Sequence, residues 1–302
     1  MTFPRAGMDG ILLLGGATAS GKSEAAIALA RAYDAEIVGA DSRQVYDGMP
    51  IGTAAPSPEQ RAAVPHHLVS FLDPYERYSA ARFASDALAA IESIRSRGRR
   101  VIVAGGTGFY LRALAGGVEF AAQYDEALRE RVAREARIHP VEALHAWLAS
   151  LDARRARAID SHDRYRIMRA LEVRLGGAHT RERPLPTLAS RGIPFAFCVL
   201  DVPIAAIDAR IVARTDAMLA SGFIDEAERI GLCAPAASAV GYPLAIAWTR
   251  GWSTNGEMRA GLARETRRYA RRQRTWFRGE RDARPVSADS LEAFARERLG
   301  WR

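Results

Sequence analysis

The sequence predicts an α/β fold: a parallel, doubly wound sheet flanked by helices and interrupted by an all-helical insertion. Three observations point there. Short, continuously apolar runs alternate with longer amphipathic stretches, the pattern of strands buried on both faces with helices crossing over them. A glycine-rich turn joins the first apolar run to a long helical pattern. Between residues 120 and 194 the strands stop while helical periodicity continues.

Residues 10–16 (GILLLGG) are the first strand candidate, and a helical pattern begins near Lys22. Residues 35–41 (AEIVGAD), 100–106 (RVIVAGG) and 195–201 (FAFCVLD) are the second, third and fourth. Helical patterns lie between them, as at residues 79–97. In the interruption, residues 125–137, 141–151 and 162–175 are expected helices. Leu144, Trp147, Leu148 and Leu151 stripe one face of the second, at i, i+3, i+4 and i+7. Residues 180–194, rich in Pro, Arg and Ser, lead back to the sheet. The expected organisation is a core of residues 1–119 and 195–302 with an insertion at 120–194.

Composition narrows the function classes. The chain has 302 residues, 48% hydrophobic and 26% charged, which suits a globular protein and excludes a wholly disordered or fibrous one. Two distant cysteines, Cys198 and Cys233, provide neither a disulfide framework nor a cysteine zinc site. The apolar run at residues 11–14 is too short to span a membrane or to form the core of a secretion signal. A soluble cytoplasmic protein with no membrane partner is expected. Basic residues outnumber acidic ones 43 to 35, a net charge of +8 that suits an anionic partner such as nucleic acid. Among those 43 basic side chains Lys22 is the only lysine, and it sits inside a phosphate-binding motif. Ammonium is a compact point charge and guanidinium a planar fork, so a tight phosphate cradle cannot exchange them freely.

That motif is Gly16-Ala17-Thr18-Ala19-Ser20-Gly21-Lys22-Ser23, a match to G-x-x-x-x-G-K-[ST] between a strand and a helix. Its glycines let backbone N–H groups approach phosphate oxygens, the helix N-terminus adds its dipole, and Lys22 adds a full charge. Ser23 contributes a hydroxyl suited to Mg²⁺. The core is therefore expected to be P-loop NTPase-like and to bind a diphosphate or triphosphate, the motif leaving open which compound. An ATPase or GTPase would also have a strand ending in a magnesium-coordinating Asp. The strand at 101–104 ends instead in Gly105-Gly106-Thr107-Gly108, and the carboxylate falls after the second strand, in Asp41-Ser42-Arg43-Gln44-Val45-Tyr46. At the carboxyl end of a parallel strand Asp41 faces the same crevice as the phosphate loop, where a metal ligand, a general base and a turn cap are all open roles.

GATASGKS, DSRQVYDGMPIGTA, PHHL, DPYERYSAARF, GGTGFYL, RALEV, ASGFIDE, AVGY and RRQRTWFR occur in this order along residues 10–280. Together they closely resemble the bacterial tRNA dimethylallyltransferase (tRNA isopentenyltransferase) family. The resemblance implies that the loop holds the diphosphate of dimethylallyl diphosphate rather than ATP. It implies transfer of the prenyl group to N6 of the adenosine immediately 3′ of the tRNA anticodon, with Mg²⁺ as cofactor. Asp41 matches the family's general base and Thr107 a threonine that contacts substrate near the transfer site. Lys22, Ser23 with Mg²⁺, and Arg214 match the groups that stabilise charge on the departing diphosphate. Asp41, Ser42, Arg43 and Gln44, with Thr107, match the strip around the target base. In the insertion, Arg129 and Tyr165, Arg166, Ile167, Met168 and Arg169 match tRNA-contacting positions that grip the anticodon stem-loop, and residues 238–242 a further contact region. A monomer is expected.

Arg210 and Arg214 lie four apart and share one helix face. Around residues 261–278 two stripes are visible. Leu262, Thr266, Tyr269, Gln273 and Trp276 read most simply as core, with Gln273 a polar exception; Arg267, Arg271, Arg274 and Arg278 suit a polyanion or solvent. His66 and His67 read as structural. Departures from the family pattern occur at Ala55, commonly lysine, at Arg82, usually aspartate, and at Pro243, usually basic. Two other classes stand beside this reading: a small-molecule or nucleotide kinase using the loop for ATP, and a non-catalytic RNA-binding protein. The first would transfer phosphate from ATP; the second would hold tRNA without releasing diphosphate.

Overall fold

The computed structural model describes residues 10–118, 126–176 and 185–302. The chain divides into two compact units, residues 1–118 with 186–302, and residues 119–185.

In the larger unit, the apolar run becomes β1 (Ile11–Gly15), followed by α1 (Lys22–Ala32) and β2 (Ala35–Gly39). Two short helices follow, α2 (Pro50–Thr53) and α3 (Pro58–Ala63), then the two-residue β3 (His66–His67). Next come α4 (Ala80–Ser96), started by a bond from the Arg82 N–H to Ser79 Oγ, then β4 (Arg100–Gly105) and α5 (Gly108–Ala115).

The smaller unit is all helix in its described residues: α6 (Glu126–Ile138), α7 (Val141–Leu151), α8 (Ala153–Arg157) and α9 (Arg164–Leu175). Its own core joins Val132, Leu144, Leu148, Ile167 and Leu171. The Asp163 carboxylate accepts the Arg166 N–H and so starts α9 two residues after the expected position. Asp125, the expected start of the first of these helices, lies outside the described residues, as do residues 180–184 of the return segment.

The chain re-enters the larger unit with β5 (Phe195–Leu200), α10 (Ile204–Ala220), α11 (Phe223–Ile230) and α12 (Tyr242–Thr249). It closes with α13 (Asn255–Arg278), opened by a Thr254–Glu257 capping box, then β6 (Arg284–Val286) and α14 (Leu291–Leu299). Residues 186–194 were expected in the insertion; they belong to the larger unit. Leu188 is fully buried against the sheet's core, and its N–H donates to the Leu114 carbonyl at 2.9 Å, so packing places the boundary earlier than composition does.

The six strands form one sheet in the order β3-β2-β4-β1-β5-β6, with every pairing parallel. Alternation within β1 sorts its side chains into two layers. Leu12 and Leu14 pack with α1 and α14, while Ile11 and Leu13 pack with α4 and α5. Burying each such leucine contributes roughly 2 kcal/mol. The four expected strands are all present; β3 and β6 are additional, and at two and three residues are too short to show a period.

Because the sheet is parallel, the segments after β1, β2, β4 and β5 emerge at one edge. The chain leaves β1 for β2 on one side and later returns to β5 on the other. The crevice at that reversal is where open α/β sheets bind ligands.

Beneath the far edge, the buried Glu36 carboxylate bonds His67 at 2.6 Å and Arg97 at 2.7 Å, with Arg99 at 3.6 Å. This gives His67 a structural role. Burial pushes the Glu36 carboxyl up, but the bonds from His67 and Arg97 and the charge of Arg97 outweigh it and hold it below the ordinary 4.5. A depressed folded-state pKa stabilises above the unfolded value and is lost as pH falls through the folded one. Glu36→Gln is expected to cost about 2 kcal/mol at neutral pH. The gap in urea unfolding between variant and native protein should close as pH falls below 4.5.

Candidate active site

The phosphate loop leaves β1 and enters α1 with Gly21 in the left-handed region, at φ 84°, directly before Lys22. Among the described residues the Lys22 ammonium meets one acceptor, the Ala17 carbonyl, at a long 3.4 Å. Burial lowers its pKa below the ordinary 10.5; the charge of Asp41 works against this and that of Arg214 with it. From α10, Arg214 donates to Thr18 Oγ1 at 2.9 Å, and Arg210 donates to the Ser20 carbonyl at 3.0 Å. Burial likewise lowers the pKa of Arg214, with Asp41 and Glu24 opposing. Three cations thus converge on one loop. Two buried polar atoms beside it, Ser20 Oγ and Arg214 Nε, have no hydrogen-bond partner among the described residues. An anion in the cradle would satisfy such groups.

Opposite stands the segment after β2. Asp41 Oδ1 accepts the Arg43 N–H at 2.9 Å, a turn cap that occupies one carboxylate oxygen and leaves Oδ2 without a hydrogen bond among the described residues. Gln44 donates to the carbonyls of Thr53 and Ala54 at 3.1 and 2.9 Å. The glycine-rich segment after β4 packs against this strip. A Cβ on Gly105 would come within 2.0 Å of the Ala40 carbonyl oxygen, so only glycine allows the approach. The Thr107 N–H donates to that same carbonyl at 3.1 Å.

One cavity of about 1130 Å³ joins these parts. Of the residues expected in the site, Thr18 to Ser23, Asp41 to Gln44, Arg210 and Arg214 line it. Gly16 and Ala17, the first two residues of the loop, are not in the lining. Thr107 adjoins this strip: its hydroxyl accepts the Ser42 N–H at 2.9 Å and donates to Ser42 Oγ at 3.3 Å. Residues 238–240 are also in the lining, as is Ala55, where the family commonly has lysine. Arg82 instead pairs with Glu76 at 3.2 Å and stacks on Tyr78, and Pro243 occupies the first turn of α12.

The stripe on α13 is more than core. Leu262, Thr266 and Tyr269 line the cavity. Gln273, only 7% exposed, accepts the Thr18 N–H and donates to the Gly106 carbonyl, each at 2.8 Å, so a single amide ties the phosphate loop to the Thr107 segment. The sequence marks Gln273 as the polar exception in an apolar stripe, and the structure supplies the two bonds that its position could not reveal. On the neighbouring face, Arg264, Arg267, Arg268, Arg271 and Arg272 line a second groove of about 560 Å³ that ends at Trp276.

In the smaller unit, Ile167 is a core residue with no exposure and Met168 packs against that core, which removes the Ile167 side chain from any contact surface. Tyr165 is 75% exposed, and Arg166 points outward beside Asp163 at 3.3 Å. Glu172 receives Arg169 at 2.9 Å and Arg129 at 3.9 Å.

A parallel α/β core, a phosphate loop carrying convergent cations and a carboxylate across the same cavity define a phosphate-loop protein built for group transfer from a phosphorylated donor. A family model described as IPP transferase matches residues 44–280. Two curated proteins are each named tRNA dimethylallyltransferase. One, from an Anaeromyxobacter species, is 45% identical, over 94% of this chain and 98% of its own; the other, from Halorhodospira halophila, is 43% identical, over 94% of both. The chain belongs to the IPP transferase family. Among solved structures it is similar to the full-length tRNA isopentenylpyrophosphate transferase of Bacillus halodurans, with 32% identity, TM-score 0.66, and 95% and 93% of the two chains covered. A eukaryotic dimethylallyltransferase acting on tRNA shares the fold at TM-score 0.73 and 23% identity, over 94% of this chain and 75% of that one. No described helix is long and apolar enough to cross a membrane.

Proposed function

We propose that this protein transfers a dimethylallyl group from dimethylallyl diphosphate to N6 of the adenosine immediately 3′ of the tRNA anticodon, releasing diphosphate. The observation that carries the reading is that Lys22, Ser23, Arg214 and Asp41 line one and the same cavity. In the reaction the allylic C–O bond of the donor breaks, the bond from N6 to that carbon forms, and the N6 proton passes to Asp41. An exocyclic aromatic amine is a poor nucleophile, so a carboxylate within hydrogen-bond reach is what the step lacks in water. Lys22 and Arg214 hold the diphosphate and oppose the charge that grows on it as the carbon departs. The unpartnered Ser20 hydroxyl and Arg214 Nε in the same cradle are suited to bond that group.

Among the described residues there is no group of three carboxylates, histidines or cysteines that could cage a metal. The Ser23 hydroxyl on the first turn of α1 suits an ion carried in on the diphosphate, as Mg²⁺ is in phosphate-loop sites. When bound there, Mg²⁺ would neutralise charge on the leaving group.

Tyr165 and the exposed arginines of the smaller unit suit an RNA loop, whose bases stack on planar groups. The arginine groove on α13 suits a phosphate backbone. The kinase reading lacks the carboxylate after β4 that it needs, since β4 ends in Gly105. The test is incubation with unmodified tRNA, dimethylallyl diphosphate and Mg²⁺, followed by nucleoside mass analysis. Prenylated adenosine is expected, with no phosphate transfer when ATP replaces the donor. Binding of tRNA without diphosphate release would support the non-catalytic reading instead.

A further inference from the structure

Glu226, on α11, is a carboxylate with no solvent exposure and no salt bridge among the described residues. Both of its oxygens nevertheless accept hydrogen bonds. Oε2 accepts the Ile51 N–H at 2.9 Å, while Oε1 accepts the Gly52 N–H at 2.8 Å and the Tyr242 hydroxyl at 2.6 Å. Burial and the bond to Glu226 push the Tyr242 hydroxyl far above its ordinary pKa, so it remains a donor. Three donors, two from backbone and one a hydroxyl, converge on this one side chain.

The segments it joins are walls of the cavity. Gly52, Thr53 and Ala54 line it from α2, and Ser238, Ala239 and Val240 line it just before Tyr242. A Cβ on Gly52 would lie 2.5 Å from the Phe223 ring and 2.6 Å from Tyr242, so α2 is seated directly on that aromatic pair. The other end of α2 presents the Thr53 and Ala54 carbonyls to which the Gln44 amide donates. Gln44 is three residues from Asp41. A chain of bonds therefore runs from Tyr242 and Glu226 through α2 to Gln44, and none of its members touches Lys22, Ser23 or Arg214 among the described contacts.

We propose that Glu226 is a positioning residue for the RNA side of the reaction: by clamping α2 to Tyr242 it fixes Gln44 and the adjacent wall against which the target nucleotide is held, and it leaves the diphosphate cradle alone. This rests on the function proposed above. Steady-state kinetics with an anticodon stem-loop RNA and dimethylallyl diphosphate test it, each variant assayed well below its own unfolding midpoint. Tyr242→Phe removes one donor and keeps both backbone bonds. It is expected to lower kcat/KM for the RNA about tenfold with KM for the diphosphate donor unchanged. Glu226→Gln turns an N–H against an N–H or the hydroxyl and should lower it further. Combining Gln44→Ala with Tyr242→Phe should give less than the product of the two single effects, since both act through α2.

A folded Tyr242→Phe protein with native kcat/KM for RNA overturns the proposal, as does an equal shift in KM for both substrates. Independent, multiplying effects of Gln44→Ala and Tyr242→Phe overturn it as well. Should Glu226→Gln fail to fold, Tyr242→Phe decides alone. A native protein that makes no prenylated product overturns the parent reading instead, so the two failures are distinguishable.

Discussion

Asp41→Asn is expected to slow prenyl transfer by about 10²- to 10⁴-fold while tRNA affinity stays within a few-fold of native. The asparagine carbonyl can still accept the Arg43 N–H, the bond Asp41 makes at 2.9 Å, so the turn after β2 survives. What disappears is the basicity of the second oxygen. A loss of rate with retained loop geometry separates a chemical role for Asp41 from that of a cap, which Asp41→Ala would not do. Single-turnover rates on preformed complexes, set beside equilibrium tRNA binding, give both numbers. A native rate in Asp41→Asn would assign the carboxylate to the turn alone and leave N6 without a base.

Lys22→Arg is expected to be nearly as damaging as Lys22→Ala, each lowering kcat by about 10²- to 10³-fold. The chain uses arginine for every other basic position, so an exchange here would be ordinary if only charge mattered. The cradle instead leaves Lys22 with one weak acceptor among the described residues, at 3.4 Å, and two guanidinium groups nearby, on Arg210 and Arg214. A planar fork cannot supply the compact point charge that an ammonium does. The pH profile gives a second reading. Burial lowers the Lys22 pKa, and deprotonation removes a charge that the incoming diphosphate needs. The alkaline limb of kcat/KM for the donor should therefore fall below the ordinary 10.5. A Lys22→Arg protein of native activity would show that the cradle counts charge and not shape.

Much of this site was legible because it is local in sequence. The phosphate loop is eight consecutive residues between a strand and a helix, and Asp41 ends an apolar strand, so spacing alone placed both at one edge of a parallel sheet. What stayed hidden is what depends on packing between distant segments. Gln273 is 255 residues from Thr18, whose N–H it accepts, and from the sequence it is merely a polar residue among Leu262, Tyr269 and Trp276. Glu226 reads as one acid in a helix; its three donors come from α2 and α12. For Thr107 the resemblance implies substrate contact, and the fold adds what spacing could not show: its hydroxyl bonds Ser42 and so joins the turn after β4 to the Asp41 strip. In the smaller unit, helical spacing divides residues 165–169, putting Ile167 inside and Tyr165 outside, which a contiguous motif cannot express. The boundary near residue 186 depends on where Leu188 is buried, and local composition carries no trace of that.

The most direct measurement is a crystal structure of the protein with an anticodon stem-loop and an unreactive thio-analogue of dimethylallyl diphosphate. The expected result is a diphosphate held by Lys22, Ser23 and Arg214, with the adenine N6 about 3 Å from an Asp41 oxygen. An adenine bound outside the cavity, or a diphosphate held away from the phosphate loop, would contradict the account.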